Sequence, residues 1–210
     1  MDRQRRAIMY LSLLSLDRLH RGTMRLLSDI YLLHKGIMSG FTRCGDGLRV
    51  LFRVEPENDD RIVRIMVQSD GSPSWELFTE RHPCVIDMRT KVFSPALRAG
   101  HSYRFRLRAN PAVKRNGKRY GLIRDETLEE WLRRKEPALG LQFRSVLALD
   151  EGYVTGHKEG SGHPQRINIK TARFEGILTV SEPHLVQNAL CCGIGPAKAF
   201  GCGLLSLARV

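Results

Sequence analysis

Ser102-Tyr103-Arg104-Phe105-Arg106-Leu107-Arg108-Ala109 decides the fold class. Tyr103, Phe105, Leu107 and Ala109 alternate with Arg104, Arg106 and Arg108. A period of two is that of a half-buried strand, apolar on one face and here arginine on the other. Asn110-Pro111 ends the run, since proline has no N–H for a ladder. Downstream, Lys114-Arg115-Asn116-Gly117-Lys118-Arg119 reads as a basic turn. Residues 127–135 read as a helix with Leu128, Trp131 and Leu132 inward, stopped by Pro137. Strands are expected at 143–150, 153–157 and 166–180, around a loop at 156–164. Ser181-Glu182-Pro183 opens a helix through His184, Leu185, Asn188 and Leu190, and a last strand closes the chain. The half as a whole suggests β-α-β-β-α-β, which fits a ferredoxin-like unit.

Upstream, residues 8–16 read as a strand. Ser28 or Asp29 can cap a helix in which Ile30, Leu33 and Ile37 face the core and which Gly40 ends. Residues 48–54 and 61–68 look like a strand pair, and 75–80 is short and without clear pattern. The fold class expected is α+β: two tandem ferredoxin-like (RRM-like) units with a C-terminal glycine-rich loop. The units span 9–97 and 98–210, after a basic extension at 1–8 expected to be disordered.

The glycine-rich loop is Cys192-Gly193-Ile194-Gly195-Pro196-Ala197-Lys198-Ala199-Phe200-Gly201-Cys202-Gly203. Two Gly-x-Gly pairs stand around Lys198. Glycine tolerates positive φ and close backbone approach, and a lysine inside such a loop suits a phosphate backbone. Lys198 stands where a Rossmann loop needs its third glycine, and Ala197-Lys198-Ala199 is not the Gly-Lys-Ser/Thr of a Walker loop. The bland alternative is a turn that ends a helix and feeds the last strand.

Lys plus Arg outnumber Asp plus Glu by 34 to 22 in 210 residues, a net charge of +12. Such a balance calls for a polyanionic partner. No apolar run reaches the roughly 18 residues a bilayer requires. The apolar stretch after Arg3, Arg5 and Arg6 lacks a small-residue cleavage site and runs into Asp17-Arg18. Nucleic acid therefore leads over a membrane. Five cysteines without a Cys-x-x-Cys, and His157 and His163 without a third ligand, give no support to a metal site. Reduced thiols fit a cytoplasmic location. No metal or cofactor is expected.

Gly193-Ile194-Gly195-Pro196-Ala197-Lys198, followed by Gly201-Cys202-Gly203-Leu204-Leu205-Ser206-Leu207-Ala208, resembles the C-terminus of the CRISPR pre-crRNA endoribonucleases of type I-E Cascade, the CasE family of the repeat-associated RAMP superfamily. Three further segments agree in order. Met9-Tyr10-Leu11-Ser12 resembles the family's first strand. Tyr31-Leu32-Leu33-His34-Lys35-Gly36 resembles its Tyr-x-x-His active-site helix, and Phe105-Arg106-Leu107-Arg108-Ala109-Asn110-Pro111 its central strand. Trp131-Leu132, Phe174-Glu175-Gly176 and Pro73-Ser74-Trp75 add weaker matches. The resemblance implies the two-unit fold, cleavage of repeat stem-loops at the 3′ side of the stem base, and retention of the product. It also implies two partners: the CRISPR repeat hairpin RNA, as precursor and as mature crRNA, and the other Cascade subunits.

RNA carries its own nucleophile, the 2′-hydroxyl beside each phosphodiester. A side chain that takes that proton, a group that orients the hydroxyl, and a cation for the developing charge suffice for cleavage. His34 and Tyr31 are the catalytic candidates, with Lys35 or Lys198 as the cation. The products expected are a 2′,3′-cyclic phosphate and a 5′-hydroxyl. His20 competes with His34, but Asp17 stands where the tyrosine would be. The RNA-binding set expected is Lys35, Arg104, Arg106, Arg108, Lys114, Arg115, Lys118, Arg119, Lys158, Arg166 and Lys170, with Gly193, Gly195, Lys198, Gly201 and Gly203. The arginine face and the basic turn would form a platform for phosphates. The loop after Lys158, which contains Glu159, would enter the hairpin's narrow major groove. The alternative function is a non-catalytic ferredoxin-like RNA-binding subunit, which would not need the Tyr31/His34 pair.

Overall fold

The computed structural model describes residues 8–41, 47–56, 59–115, 118–122, 124–158 and 165–210. The extension at 1–7, the turn at 116–117 and the loop at 159–164 lie outside the described residues, as do the side chains of Lys114, Arg115, Lys118 and Arg119.

The first half runs β1 (Met9–Asp17), α1 (Arg21–Ser28), α2 (Ile30–Met38), β2 (Val50–Val54), β3 (Ile62–Ser69), α3 (Glu76–Arg81) and β4 (Val85–Phe93). Its antiparallel sheet has the order β2-β3-β1-β4. Leu14 and Leu16 of β1 lie opposite Ile65 and Val63 of β3, so one sheet face is a continuous apolar surface. Leu26 of α1, Leu33 and Ile37 of α2 and Phe78 of α3 close over that surface. Two elements go beyond the sequence expectation. In α1, Arg21 and Arg25 mask a short stripe that buries only Thr23 and Leu26. The strand β4 is a solvent-exposed edge strand whose Asp87, Arg89 and Lys91 break the apolar run. With α3 and β4 in place, the first half is a complete ferredoxin-like unit.

The second half runs β5 (Ser102–Ala109), β6 (Ala112–Arg115), β7 (Lys118–Gly121), α4 (Asp125–Arg133), α5 (Glu136–Leu139), β8 (Leu141–Lys158), β9 (Gln165–Val180), α6 (Pro183–Cys192) and β10 (Leu205–Arg209). Its sheet order, β10-β5-β9-β8, repeats that of the first half. Lys114-Arg115 and Lys118-Arg119, on either side of the expected turn, lie on the antiparallel strands β6 and β7. The two strands expected at 143–150 and 153–157 are one long strand, β8, with a register shift between Asp150 and Tyr153. Gly152, at φ 74°, supplies that irregularity. Pro137 does not stop α4; it lies in the first turn of α5, where its missing N–H costs nothing.

Arg53 of β2 joins the two halves. Its side chain is 2% exposed. Its Nη1 donates to the carbonyls of Arg106 and Leu204, each at 3.1 Å. Its Nη2 donates to Glu55 Oε1 at 2.6 Å and to Ser206 Oγ at 2.9 Å. Gln68 of β3 adds a bond to the Leu190 carbonyl at 2.5 Å. The guanidinium drawn into this seam is thus partnered on both sides of it, as a buried charge demands.

Candidate catalytic and RNA-binding site

The α2 helix is held at its N-terminus by Asp29. One carboxylate oxygen accepts from the N–H of Tyr31 at 2.8 Å and of Leu32 at 3.2 Å, satisfying donors that a helix start leaves open. The other oxygen accepts the backbone N–H of His157 at 3.0 Å and lies 3.3 Å from His157 Nδ1. The far end of the β8–β9 hairpin is thereby tied to the turn of α2 that carries Tyr31. Burial pushes the Asp29 carboxyl up. The hydrogen bonds from Leu32, Tyr31 and His157 outweigh that, and its pKa lies below the usual carboxylate value.

His34 sits one turn beyond Tyr31 and is half-buried. The edge of Phe200 packs on its ring, with centroids 6.0 Å apart and planes at 64°. Burial holds its pKa below the ordinary histidine value, so the imidazole is neutral near pH 7 and has a lone pair for a proton. Lys35 is exposed, with Nζ 5.8 Å from the centroid of the Tyr31 ring.

Phe200 belongs to the glycine-rich loop, so the tertiary fold brings that loop against His34. All four glycines have positive φ, and Ala197 joins them at 60°. At Gly193, a Cβ would stand 2.9 Å from Leu51 and 3.1 Å from the Gly203 carbonyl. The loop closes on itself through the Ile194 N–H to that same carbonyl at 2.9 Å, and anchors to β5 through the Gly203 N–H to the Arg108 carbonyl at 2.7 Å. The closure is that of the turn expected to end a helix and feed the last strand, and it sets the Lys198–Phe200 turn against α2, with Phe200 on His34.

The arginine face differs from the free platform expected from the sequence. Arg104, Arg106 and Arg108 do alternate with the buried Phe105, Leu107 and Ala109. Arg106, however, donates from Nη1 to Glu55 at 2.7 Å and from Nε to Glu175 at 2.9 Å. Burial would lower its pKa; the hydrogen bond and charge of Glu55 with the charge of Glu175 raise it above the ordinary value. Arg108, 12% exposed, donates to Glu151 at 2.6 Å. Lys170, 6% exposed, pairs with Asp150 at 2.6 Å. These three cations serve the seam and the long hairpin, because the antiparallel register sets Glu175 opposite Arg106. Arg104 donates to the Arg209 carbonyl at 3.3 Å. Lys158 and Arg166 are exposed at the hairpin's end. His157, read as a loop residue from the sequence, is the clasp of that hairpin on α2. No local pattern signals a contact 128 residues apart.

His20 acts locally. Its Nδ1 accepts the Gly22 N–H at 3.0 Å and caps α1. His82 packs on Phe78 with ring centroids 4.7 Å apart, and His101 and His184 are at the surface.

Residues 9–209 match the family described as CRISPR associated protein. The chain is 32% identical over 212 residues to the CRISPR-associated endoribonuclease Cse3 of Thermus thermophilus, covering 95% of this chain and 100% of that protein. It is 32% identical over 197 residues to the CRISPR system Cascade subunit CasE of Escherichia coli, covering 86% and 92%. Among solved structures, the fold matches endoribonuclease Cse3 bound to a 19-nucleotide RNA with a TM-score of 0.84 at 30% identity, over 96% of this chain and 100% of that one. It matches Cas6e of E. coli with a TM-score of 0.70, also at 30% identity, over 96% and 100%. From its first strand to its last, the chain belongs to the CRISPR-associated family that includes Cse3 and CasE.

Proposed function

We propose that this protein is an endoribonuclease that cleaves the repeat stem-loops of precursor crRNA and stays on its product as a Cascade subunit. The observation that carries this is the neutral, half-buried His34, one turn from Tyr31 and packed on the glycine-rich loop, in a chain that matches a named endoribonuclease along its length. His34 takes the 2′-hydroxyl proton, Tyr31 orients that hydroxyl, and Lys35 or Lys198 offsets the charge that develops on the phosphate. The 2′-oxygen attacks the adjacent phosphorus, the P–O5′ bond breaks, the 5′-oxygen takes up a proton from the His34 imidazolium or from water, and a 2′,3′-cyclic phosphate and a 5′-hydroxyl result. The RNA supplies the nucleophile, so the step needs no metal or cofactor.

The hairpin lies along the second half. Lys158, Arg166 and Lys198, with Lys114 and Arg115 of β6 and Lys118 and Arg119 of β7, contact its phosphates, and Arg104 borders that surface. Cascade assembly follows from the relatives, one of which is named a Cascade subunit. A cytoplasmic location belongs to the same reading; among the described residues no helix is long and apolar enough to cross a membrane.

One gel tests the chemistry. Repeat hairpin RNA incubated with the protein in EDTA is expected to be cut once, and a single 2′-deoxy substitution 5′ of the scissile phosphate to prevent the cut. A magnesium requirement, or cutting of the deoxy RNA, refutes the mechanism. Tight binding without cleavage in any buffer leaves the non-catalytic RNA-binding subunit.

A further inference from the structure

While Arg106 and Arg108 of the β5 face are bound to glutamates, another group of cations has, among the described residues, no carboxylate beside it. A cavity of about 340 Å³ opens between α1, α2 and α3, and Arg25, Lys35, Arg81 and His82 stand on its walls. Among the described residues, no Asp or Glu lines it. Among the described residues, Arg25, Lys35 and Arg81 have no ion-pair partner. A concave site with cations on three elements and no counter-charge of its own concentrates a positive field and attracts an anion.

The cavity is also built. A Cβ on Gly36 would stand 3.2 Å from His82 Nε2 and 3.3 Å from Phe78. Glycine there lets α3 close on α2 and brings His82 over the cavity floor. The packing on Phe78 then holds the His82 ring in place.

Its position is informative. Lys35 lines the cavity and its Nζ stands 5.8 Å from the centroid of the Tyr31 ring, so the cavity adjoins the Tyr31/His34 site at that residue. The second half reaches that pair through His157 and Phe200. The cavity, in contrast, is made wholly of the first half. A strand that comes off a hairpin held by the second half, and sets its scissile phosphate at His34, continues past Lys35 toward Arg25 and Arg81.

We propose that this cavity is a phosphate subsite for the unpaired RNA strand downstream of the cut, the strand that leaves with the 5′-hydroxyl. The inference rests on the endoribonuclease reading above. It adds a determinant of substrate choice: the protein engages the RNA on both sides of the scissile bond.

Two repeat hairpins test it, one ending at the nucleotide after the cut and one with a downstream tail. Affinity is read with 2′-deoxy versions, and cleavage under single-turnover conditions. The tail is expected to tighten wild-type binding on the order of tenfold. The double variant Arg25→Ala/Arg81→Ala, both positions exposed, is expected to lose that gain and to handle the tailless hairpin as the wild type does. For the tailed RNA its log–log salt slope should flatten by roughly 0.7 per lost contact. A tail without effect on the wild type, or a variant that keeps the full gain, overturns the subsite. Failure of the wild type to cut either hairpin overturns the endoribonuclease reading instead; a tail gain lost in the variant would still support the phosphate subsite.

Discussion

His34 concentrates the chemistry of the chain in one neutral imidazole. Its depressed pKa fixes the sign of two pH effects. As a base it works while neutral, so single-turnover cleavage should hold level from neutrality down and fall only as pH drops through a value under the ordinary ~6.5. The folded state also binds this proton less readily than the unfolded chain does. The stability His34 contributes is therefore present above ~6.5 and lost as pH falls through the folded value. His34→Ala should slow cleavage by about a hundredfold to ten-thousandfold and leave hairpin affinity within twofold or so. A rate that rises toward acid pH, or equal loss of binding in the variant, would assign His34 another role. Sequence alone ranked His34 above His20 by the tyrosine three residues before it. The hydrogen bond from Gly22 to His20 gives the physical counterpart: that ring already accepts a backbone proton.

The α2 helix owes its place to its cap. Asp29 could be read from the sequence as a helix start, because a short carboxylate before an apolar periodic run satisfies open N–H groups. Its second oxygen could not, since it binds His157 on a strand from the other half. One side chain thus caps the helix and clasps the β8–β9 hairpin. Asp29→Ala is expected to cost about 1 kcal/mol for the cap alone, measurable by chemical denaturation. It should also slow cleavage more than an exposed hairpin substitution such as Lys158→Ala, as the hairpin's end loses its tether to α2. Cleavage at wild-type rate in Asp29→Ala, with the stability loss present, would show that the clasp is only structural. Element by element, strongly periodic β5 and α2 were legible. The edge strand β4 was not, because a strand exposed on both faces has no need of alternation.

The two ferredoxin-like units act as one molecule through Arg53. A buried guanidinium left half-partnered is costly, and here both carbonyl partners come from the other half. Removing the side chain would leave Glu55 with Arg106 alone and two carbonyls without their donor. Arg53→Ala is expected to destabilise by about 3–5 kcal/mol. It should also separate the unfolding transitions of the two halves, seen by comparing Trp75 and Trp131 fluorescence. A single coincident transition with less than about 1 kcal/mol lost would show that the seam does not depend on this residue.

What the sequence determined is what short-range physics dictates. A period of two makes β5, helical spacing behind a capping carboxylate makes α2, and paired glycines make the C-terminal turn. A net charge of +12 calls for a polyanion, and the ordered motifs identify the family. What only the tertiary structure decided is which charges remain available. Arg106, Arg108 and Lys170 read as open cations, yet the sheet register and the seam set Glu175, Glu55, Glu151 and Asp150 against them. Arg25 and Arg81 lie far apart in the chain, and the packing of α1 and α3 over α2 brings them to one cavity that, among the described residues, no carboxylate lines. The reason is that Coulomb interactions act through space between groups the chain order does not place, whereas periodicity and capping act within a few residues.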